Sequence, residues 1–420
     1  MIAIDRDVRK LSPVVPVTAS APVVPSRGIV AILLMVVPLS QIPLDIYTPA
    51  LPDMVNDFDS SNAMMQNTVT AYMLGMSLAL IPVGVIADAY GRKKVLLSCL
   101  AIVVLTSLGC AIAGNVPMLL GLRFLQGVGA CACMVLSYAV AADCFRGSRL
   151  TSISGLLGAA WGLAPVLAPA LGGVLVQYMS WRAIFGLIAA LAAGVGLLVA
   201  VALPETLTVH NRTRIDVAAT GSVLAGALRH RVFVSLILVF GLMAAAQLVF
   251  GVVGPFLFQE QLDFSPAAYG LVALIVGGAN LIGELACSAL AVRITPRRLA
   301  LGAWVVFLAG ALVLVISAAT IGPSAWAITL GACLALAGCG VLCPQMYGLG
   351  LGLFSRNLGL IGGIISAGCY LIVSVAMAAA GILPENSQAP LGWLYIGIGL
   401  AAGLLLVWTT SARRLAAAAA

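Results

Sequence analysis

The chain has 420 residues, 62% of them hydrophobic and only 8% charged, with a formal net charge of +7 and a mean hydropathy of +1.14. So little polar surface cannot cover a water-soluble core of this size, which excludes an ordinary globular protein. The positive balance does not mark a nucleic-acid binder either, because there is no soluble domain to carry a basic face.

Crossing a hydrocarbon layer of ~30 Å takes about 20 apolar residues as helix. Residues 1–27 contain "LSPVVPVTASAPVVPSRG", too rich in proline for a signal-peptide apolar region, and are expected to be a cytoplasmic tail followed by a first span that is its own uncleaved insertion signal. Spans are then expected at 28–50, 66–87, 95–113, 118–142, 152–176 and 183–203. A polar segment at 204–231 follows, then spans at 232–257, 269–292, 299–319, 324–348, 358–381 and 391–410, and a short tail at 411–420. The expected fold is an all-α membrane protein of twelve transmembrane helices in two six-helix halves, 28–203 and 232–410.

Short cytoplasmic loops carry the Lys/Arg excess. With both termini inside, every one of the 21 basic residues except Arg123, within a span, and Arg182, in an outer loop, falls on the cytoplasmic side. Asp53, Asp57, Asp59, Glu260, Asp263 and Glu385 fall outside. The basic balance is therefore a topology signal.

The two halves repeat. Pro49 and Pro255, Phe58 and Phe264, and Pro117 and Pro323 lie at one offset, 255 minus 49, 264 minus 58 and 323 minus 117 each giving 206. "PALPDMVNDF" and "PFLFQEQLDF" both end a span and open an acidic loop, and "GRKKVLL" and "TPRRLAL" both open the third span of a half. Such internal symmetry is expected of a transporter that rocks two bundles around a midplane site.

Three charges fall inside the spans: Asp45, Arg123 and Glu284. Each is unfavourable there by ~2.5–3.5 kcal/mol and should face protein or water. The first span closes on "IPLDIYTPALPDM", with Asp45 between Pro43 and Pro49. Arg123 has a stem long enough to reach the interface, whereas Asp45 does not. Counted from Pro52 and Pro117, the two lie at similar depth, which suggests an ion pair or a shared site. Glu284 has two open readings, a cavity-facing role or a structural hydrogen bond. The ten cysteines show no paired CxxC spacing and read as small packing residues. With only His210 and His230, both in the 204–231 segment, and no nucleophile beside a base, there is no catalytic or metal constellation, so neither enzyme activity nor a cofactor is expected.

Against this background four motifs resemble a known family. "GVIADAYGRKK", Gly84 to Lys94, resembles the loop between spans two and three of the major facilitator superfamily, and "LRFLQGVGA", Leu122 to Ala130, its fourth-span motif. Gly155, Ala164 and "APALGG", Ala168 to Gly173, resemble the fifth-span signature of its proton-coupled drug exporters, with Ala164 and Ala168 where Gly is usual. "DIYTPALP" and "LPETL" are similar to the Bcr/CflA branch of drug/proton antiporters.

The resemblance implies a monomeric inner-membrane antiporter whose partners are a small-molecule substrate, protons and the lipid bilayer. It makes Gly84, Asp88, Gly91 and Arg92 a conformational latch closing the inner side of the outward-facing state, where the residues alone read as an i,i+4 helix-end pair. It makes Gly155, Pro169, Gly172 and Gly173 a packing motif between the fifth and eighth spans. Asp45 becomes the proton carrier, tuned by Arg123, with Glu284 a further coupling candidate. Some relatives carry a second carboxylate two turns earlier, where this chain has Val37. Tyr47, Tyr138, Gln247 and Asn280 are candidates to line the cavity, or equally interhelical contacts. The expected substrates are small amphipathic compounds such as the antibiotic chloramphenicol, with a dedicated metabolite or siderophore exporter of the same branch as the alternative.

Overall fold

The computed structural model describes residues 27–208, 212, 215–354, 356–382, 384 and 387–409. Apart from Arg27, the tails expected at 1–27 and 411–420 lie outside these residues, as does His210. Twelve helices are long and apolar enough to cross a membrane: α1 Gly28–Phe58, α2 Asn62–Tyr90, α3 Arg92–Ala111, α4 Val116–Cys144, α5 Gly147–Tyr178, α6 Trp181–Ala202, α7 Arg231–Gln259, α8 Pro266–Leu290, α9 Pro296–Thr320, α10 Ala325–Gly352, α11 Leu358–Ala380 and α12 Ala389–Thr409. Each expected span has its helix, and most helices run several residues past the apolar limits. Local chemistry sets their starts. Ser61, Asn115 and Ser265 each accept a hydrogen bond from the backbone N–H three residues on, at 3.3, 2.9 and 3.2 Å, opening α2, α4 and α8.

The first span differs most from expectation. It continues to Phe58, so Asp53 and Asp57 sit on its last helical turns and not in a loop. It is also broken: helix over Arg27–Val36, a 3₁₀ turn at Val37–Ser40, one helical turn at Ile42–Asp45, a second 3₁₀ turn at Thr48–Ala50, then helix again over Leu51–Phe58. Pro38, Pro43, Pro49 and Pro52 each remove a backbone donor, so the chain cannot hold a continuous ladder. Carbonyls along the break are taken by side chains of other helices. Tyr72 donates to the Ser40 carbonyl at 2.8 Å, Arg123 to that of Pro43 at 2.9 Å and Gln259 to that of Pro49 at 2.9 Å.

The halves pack alike. In the first, α2 meets α4, α4 meets α3 and α3 meets α6; in the second, α8 meets α10, α10 meets α9 and α9 meets α12. Glycines bring the paired helices together: a Cβ on Gly127 would lie 2.0 Å from the Tyr72 carbonyl oxygen, and one on Gly340 would lie 2.1 Å from that of Asn280. The halves join along α2 with α11 and α5 with α8. The 204–231 segment is not all loop. Its residues Val217–Arg229 form a linker helix, capped by Asp216, that sets Ala227 against Phe233, Ile237, Ile361, Ile364 and Ile365 of the second half.

Contacts between the halves are tightest at the end of the bundle that carries Asp59 and Glu260, here termed the acidic end; the opposite end, with Arg92 and the linker, is the linker end. At the acidic end Gln259 holds the Pro49 carbonyl, and Asn62 donates to Glu260 Oε2 at 3.2 Å. A Cβ on Gly173 would lie 2.3 Å from the Pro266 carbonyl oxygen across the halves, and within the first half one on Gly172 would lie 1.8 Å from that of Ile46. Toward the linker end of α5, a Cβ on Gly155 would meet no atom within 4 Å.

Candidate functional site

Asp45 closes the single helical turn in the break of α1 and is 6% exposed. Its backbone carbonyl accepts from Thr48 Oγ1 at 2.9 Å, and its carboxylate oxygen Oδ2 is buried without a protein partner. Asp45 lines a cavity between the halves of ≈ 60 Å³, together with Pro165 and Pro169 of α5, Gln247 and Phe250 of α7, and Tyr269 and Asn280 of α8. Pro165 and Pro169 leave two α5 carbonyls without their helical donors beside it. The remaining wall is apolar. A volume of this size takes a few waters, whereas sites for drug-sized solutes run to ~300–1,000 Å³, so the cavity is too small for such a solute at this depth.

Arg123 is fully buried, six residues beyond Pro117 on α4. It does not pair with Asp45: the two form no salt bridge, contrary to the ion-pair expectation. Instead Nη1 donates to the Pro43 carbonyl at 2.9 Å and to Gln126 Oε1, and Gln126 passes a hydrogen bond to Ser107 at 2.7 Å. The guanidinium carbon sits 4.4 Å from the Tyr47 ring centre and 4.5 Å from that of Tyr72. The reason is geometric. The Pro43 carbonyl, two residues before Asp45 and left without a helical donor where the turn breaks, is a nearer acceptor for the fork of donors, and the two aromatic faces stabilise a desolvated cation. What the sequence suggested as a pair is a shared site, in which Arg123 holds the backbone that carries Asp45.

Tyr47 therefore does not line the cavity. Its ring covers Arg123 and stacks on Phe185 at 5.3 Å, and its hydroxyl bonds Thr68 at 2.7 Å. Nor does Tyr138 line it: this half-buried residue puts its hydroxyl 3.5 Å from where a Gly158 Cβ would stand. Gln247 and Asn280 do reach the cavity. Asn280 Nδ2 donates to Glu284 Oε1 at 3.0 Å, which brings the third membrane charge to the same neighbourhood. Val37 packs in the core, fully buried.

At the linker end, Arg92 lies between three carboxylates. Nη1 pairs with Asp88 at 2.5 Å, Nε with Asp143 at 3.3 Å, and its backbone N–H donates to Glu205 at 2.9 Å. Glu205 also accepts from Lys93 N at 3.2 Å, and Thr206 donates to Asp143 at 3.1 Å. Gly91 has φ +107°, and a Cβ there would lie 2.5 Å from Glu205 Oε2, so the turn demands glycine twice over. Gly84 faces Val135. These groups belong to the first half and the stretch just after it: among the described residues the four latch residues brace α2, α3, α4 and the chain just past α6, within one side of the bundle. Asp143 and Glu205 were not picked out from the sequence, although "LPETL" was noticed.

The sequence pattern of the Major Facilitator Superfamily matches residues 33–350. The chain belongs to this superfamily. Multidrug resistance protein MdtL of Klebsiella pneumoniae (strain 342) is 30% identical over 366 residues, 87% of either chain. The uncharacterized MFS-type transporter YdgK of Bacillus subtilis (strain 168) is 30% identical over 253 residues, and that match spans 59% of this chain and 63% of YdgK. Among solved structures, the partially occluded inward-open conformation of the xylose transporter XylE from E. coli aligns over 91% of this chain and 97% of its own, with a TM-score of 0.72 at 15% identity, a likeness of fold alone. The protein is thus a multi-pass membrane transporter of the major facilitator fold. Within that fold the fifth-span motif divides. Gly172 and Gly173 make the close contacts, Pro169 lines the cavity, and a Cβ on Gly155, expected to pack against the eighth span, would meet no atom within 4 Å.

Proposed function

We propose that this transporter is a proton-coupled antiporter of the Bcr/CflA type that exports small amphipathic compounds or antibiotics across the bacterial cytoplasmic membrane by alternating access. The observation that carries the reading is Asp45, a buried carboxylate in the broken turn of α1, facing a cavity between the two halves whose other walls are largely apolar. Such a group loads a proton when the cavity faces one side and gives it up when the cavity faces the other, and the polar end of an amphipathic solute competes for the same oxygen. The likeness to multidrug resistance proteins such as MdtL supports drug efflux. Arg123 fixes the turn and supplies the positive field beside the carboxylate. Asp88 and Arg92 act when the linker end closes.

In this reading residues 28–203 and 232–410 are the moving halves, both termini and the 204–231 segment are cytoplasmic, and the closed acidic end is the outer side. The transporter works as a monomer and uses no cofactor. With the full chain in vesicles, addition of chloramphenicol is expected to drive proton movement opposite to the drug; drug flux with no proton movement refutes the antiport. Cysteines introduced at Thr208 and Asp59 should react with an impermeant reagent from opposite sides of intact cells. Equal reaction of both from outside would defeat the orientation.

A further inference from the structure

Asp45 and Asn280 line the same cavity, and each holds one buried acceptor oxygen that no protein donor reaches. Asp45 Oδ2 and Asn280 Oδ1 are unpartnered, on side chains 6% and 3% exposed. An unmatched buried acceptor costs about 1–3 kcal/mol, and the cavity of ≈ 60 Å³ beside them has room for a few waters. The other end of Asn280 is committed, since Nδ2 donates to Glu284 Oε1 at 3.0 Å. Glu284 stands four residues on, about 6 Å nearer the linker end along α8. Its second oxygen, Oε2, lies 3.3 Å from where a Gly162 Cβ would be, so the half-buried carboxylate reaches across the seam between α5 and α8 at a point where α5 has no side chain.

We propose that Glu284 is the proton-releasing carboxylate and Asn280 its positioning residue, so that the proton leaves Asp45 through the α5–α8 seam, apart from the wider space a drug-sized solute must use. This rests on the proton-coupled reading above and adds the route of release. The Asp45 O–H bond breaks, a cavity water takes the proton and passes one to a Glu284 carboxylate oxygen, leaving Asp45 ionised and Glu284 neutral. Glu284 then yields that proton to water at the linker end and returns to the carboxylate. Asn280 carries no proton. Its N–H₂ holds Glu284 in place.

The surroundings fit an acid that must change state. From α4, Arg123 stands behind Asp45 and is engaged with Pro43, Tyr47 and Tyr72. On α8 Tyr269 borders the cavity and Cys287 lies near Glu284; on α10 Cys343 faces Glu284; α7 offers Gln247. The α5 wall of Gly162, Pro165, Val166 and Pro169 holds no ionisable group. Among the described residues no Lys, Arg or His forms a salt bridge with Glu284.

Glu284→Gln tests this sharply, because the Gln carbonyl still accepts from Asn280 and only the proton-carrying capacity is lost. In vesicles holding the full chain, with chloramphenicol as probe, pH-driven uphill transport is expected to fall about 100-fold or more, the scale on which positioned proton-transfer groups act. Probe affinity should stay unchanged and proton release on probe binding should slow. Glu284→Asp, which keeps the acid, should recover part of the transport. Asn280→Leu should slow proton release, since Glu284 loses the N–H₂ that holds it. Native transport and release in Glu284→Gln, or equal rates in the Gln and Asp variants, would overturn the relay and leave Glu284 a structural acceptor. That result differs from failure of the parent reading, in which Asp45→Asn itself still exports uphill.

Discussion

Asp45→Asn is expected to abolish energised, uphill export while leaving the site's shape intact. The amide matches the carboxylate in size and fixes a neutral group in the cavity, so it mimics permanent protonation. Because the Asp45 backbone is held by Thr48 and the neighbouring turn by Arg123, the substitution disturbs neither contact. Binding and downhill exchange of a neutral compound should therefore survive. In detergent, ligand addition should release protons from the native protein and not from the variant. The sign of the pH effect follows from competition: native affinity for the compound falls as the pH is lowered through the titration of Asp45, whereas that of Asp45→Asn stays flat. Uphill export by the variant, with proton release undiminished, would take the coupling role from Asp45.

The second large effect is one of packing, and it reverses the usual sign of a glycine substitution. In a helix interior Gly→Ala ordinarily stabilises by roughly 0.5–1 kcal/mol. At Gly155 this should hold, because a Cβ there meets nothing within 4 Å. At Gly172 the added Cβ would lie 1.8 Å from the Ile46 carbonyl oxygen, which is backbone and has no rotamer to escape through. Gly172→Ala must therefore push α5 from the broken turn that carries Asp45, at a cost of ~1–3 kcal/mol or more. Thermal unfolding of the two variants in one detergent is the measurement. Gly172→Ala should melt well below the native protein and lose transport, and Gly155→Ala should melt at or slightly above the native protein. Equal melting temperatures would show that the α1–α5 contact is not tight.

Much of this protein is decided locally. Twelve apolar runs, the division after the sixth, and Asp45 set among four prolines follow from hydropathy and backbone donors alone, since a membrane tolerates neither unpaired peptide groups nor unneeded charge. The tight turn at Gly91 was likewise legible through the family resemblance, whereas the approach of Glu205 to it was not. The sequence also pointed to Asp45 and Arg123 as neighbours, yet not to how they meet. Proline at position 43 frees no visible polar atom in a string of letters; only in three dimensions does its carbonyl become the acceptor that draws Arg123 off the carboxylate.

Rotation about each helix axis was the quantity the sequence could not supply. A helix apolar on all sides carries no amphipathic stripe to say which face meets which neighbour, so Tyr47, Tyr138, Gln247 and Asn280 looked alike. Packing separated them. Gln247 and Asn280 turn to the cavity with Asp45, Tyr47 covers Arg123, and Tyr138 lies toward Gly158. The same limit hid Glu205 and Asp143, whose partners are far along the chain. Sequence by itself determined the count and order of the spans and the presence of membrane charges, because these depend on composition over one helix length. Tertiary structure alone decided which polar groups share a cavity, because that depends on helix rotation, and glycine-scale contacts such as those of Gly127, Gly172 and Gly340 fix it.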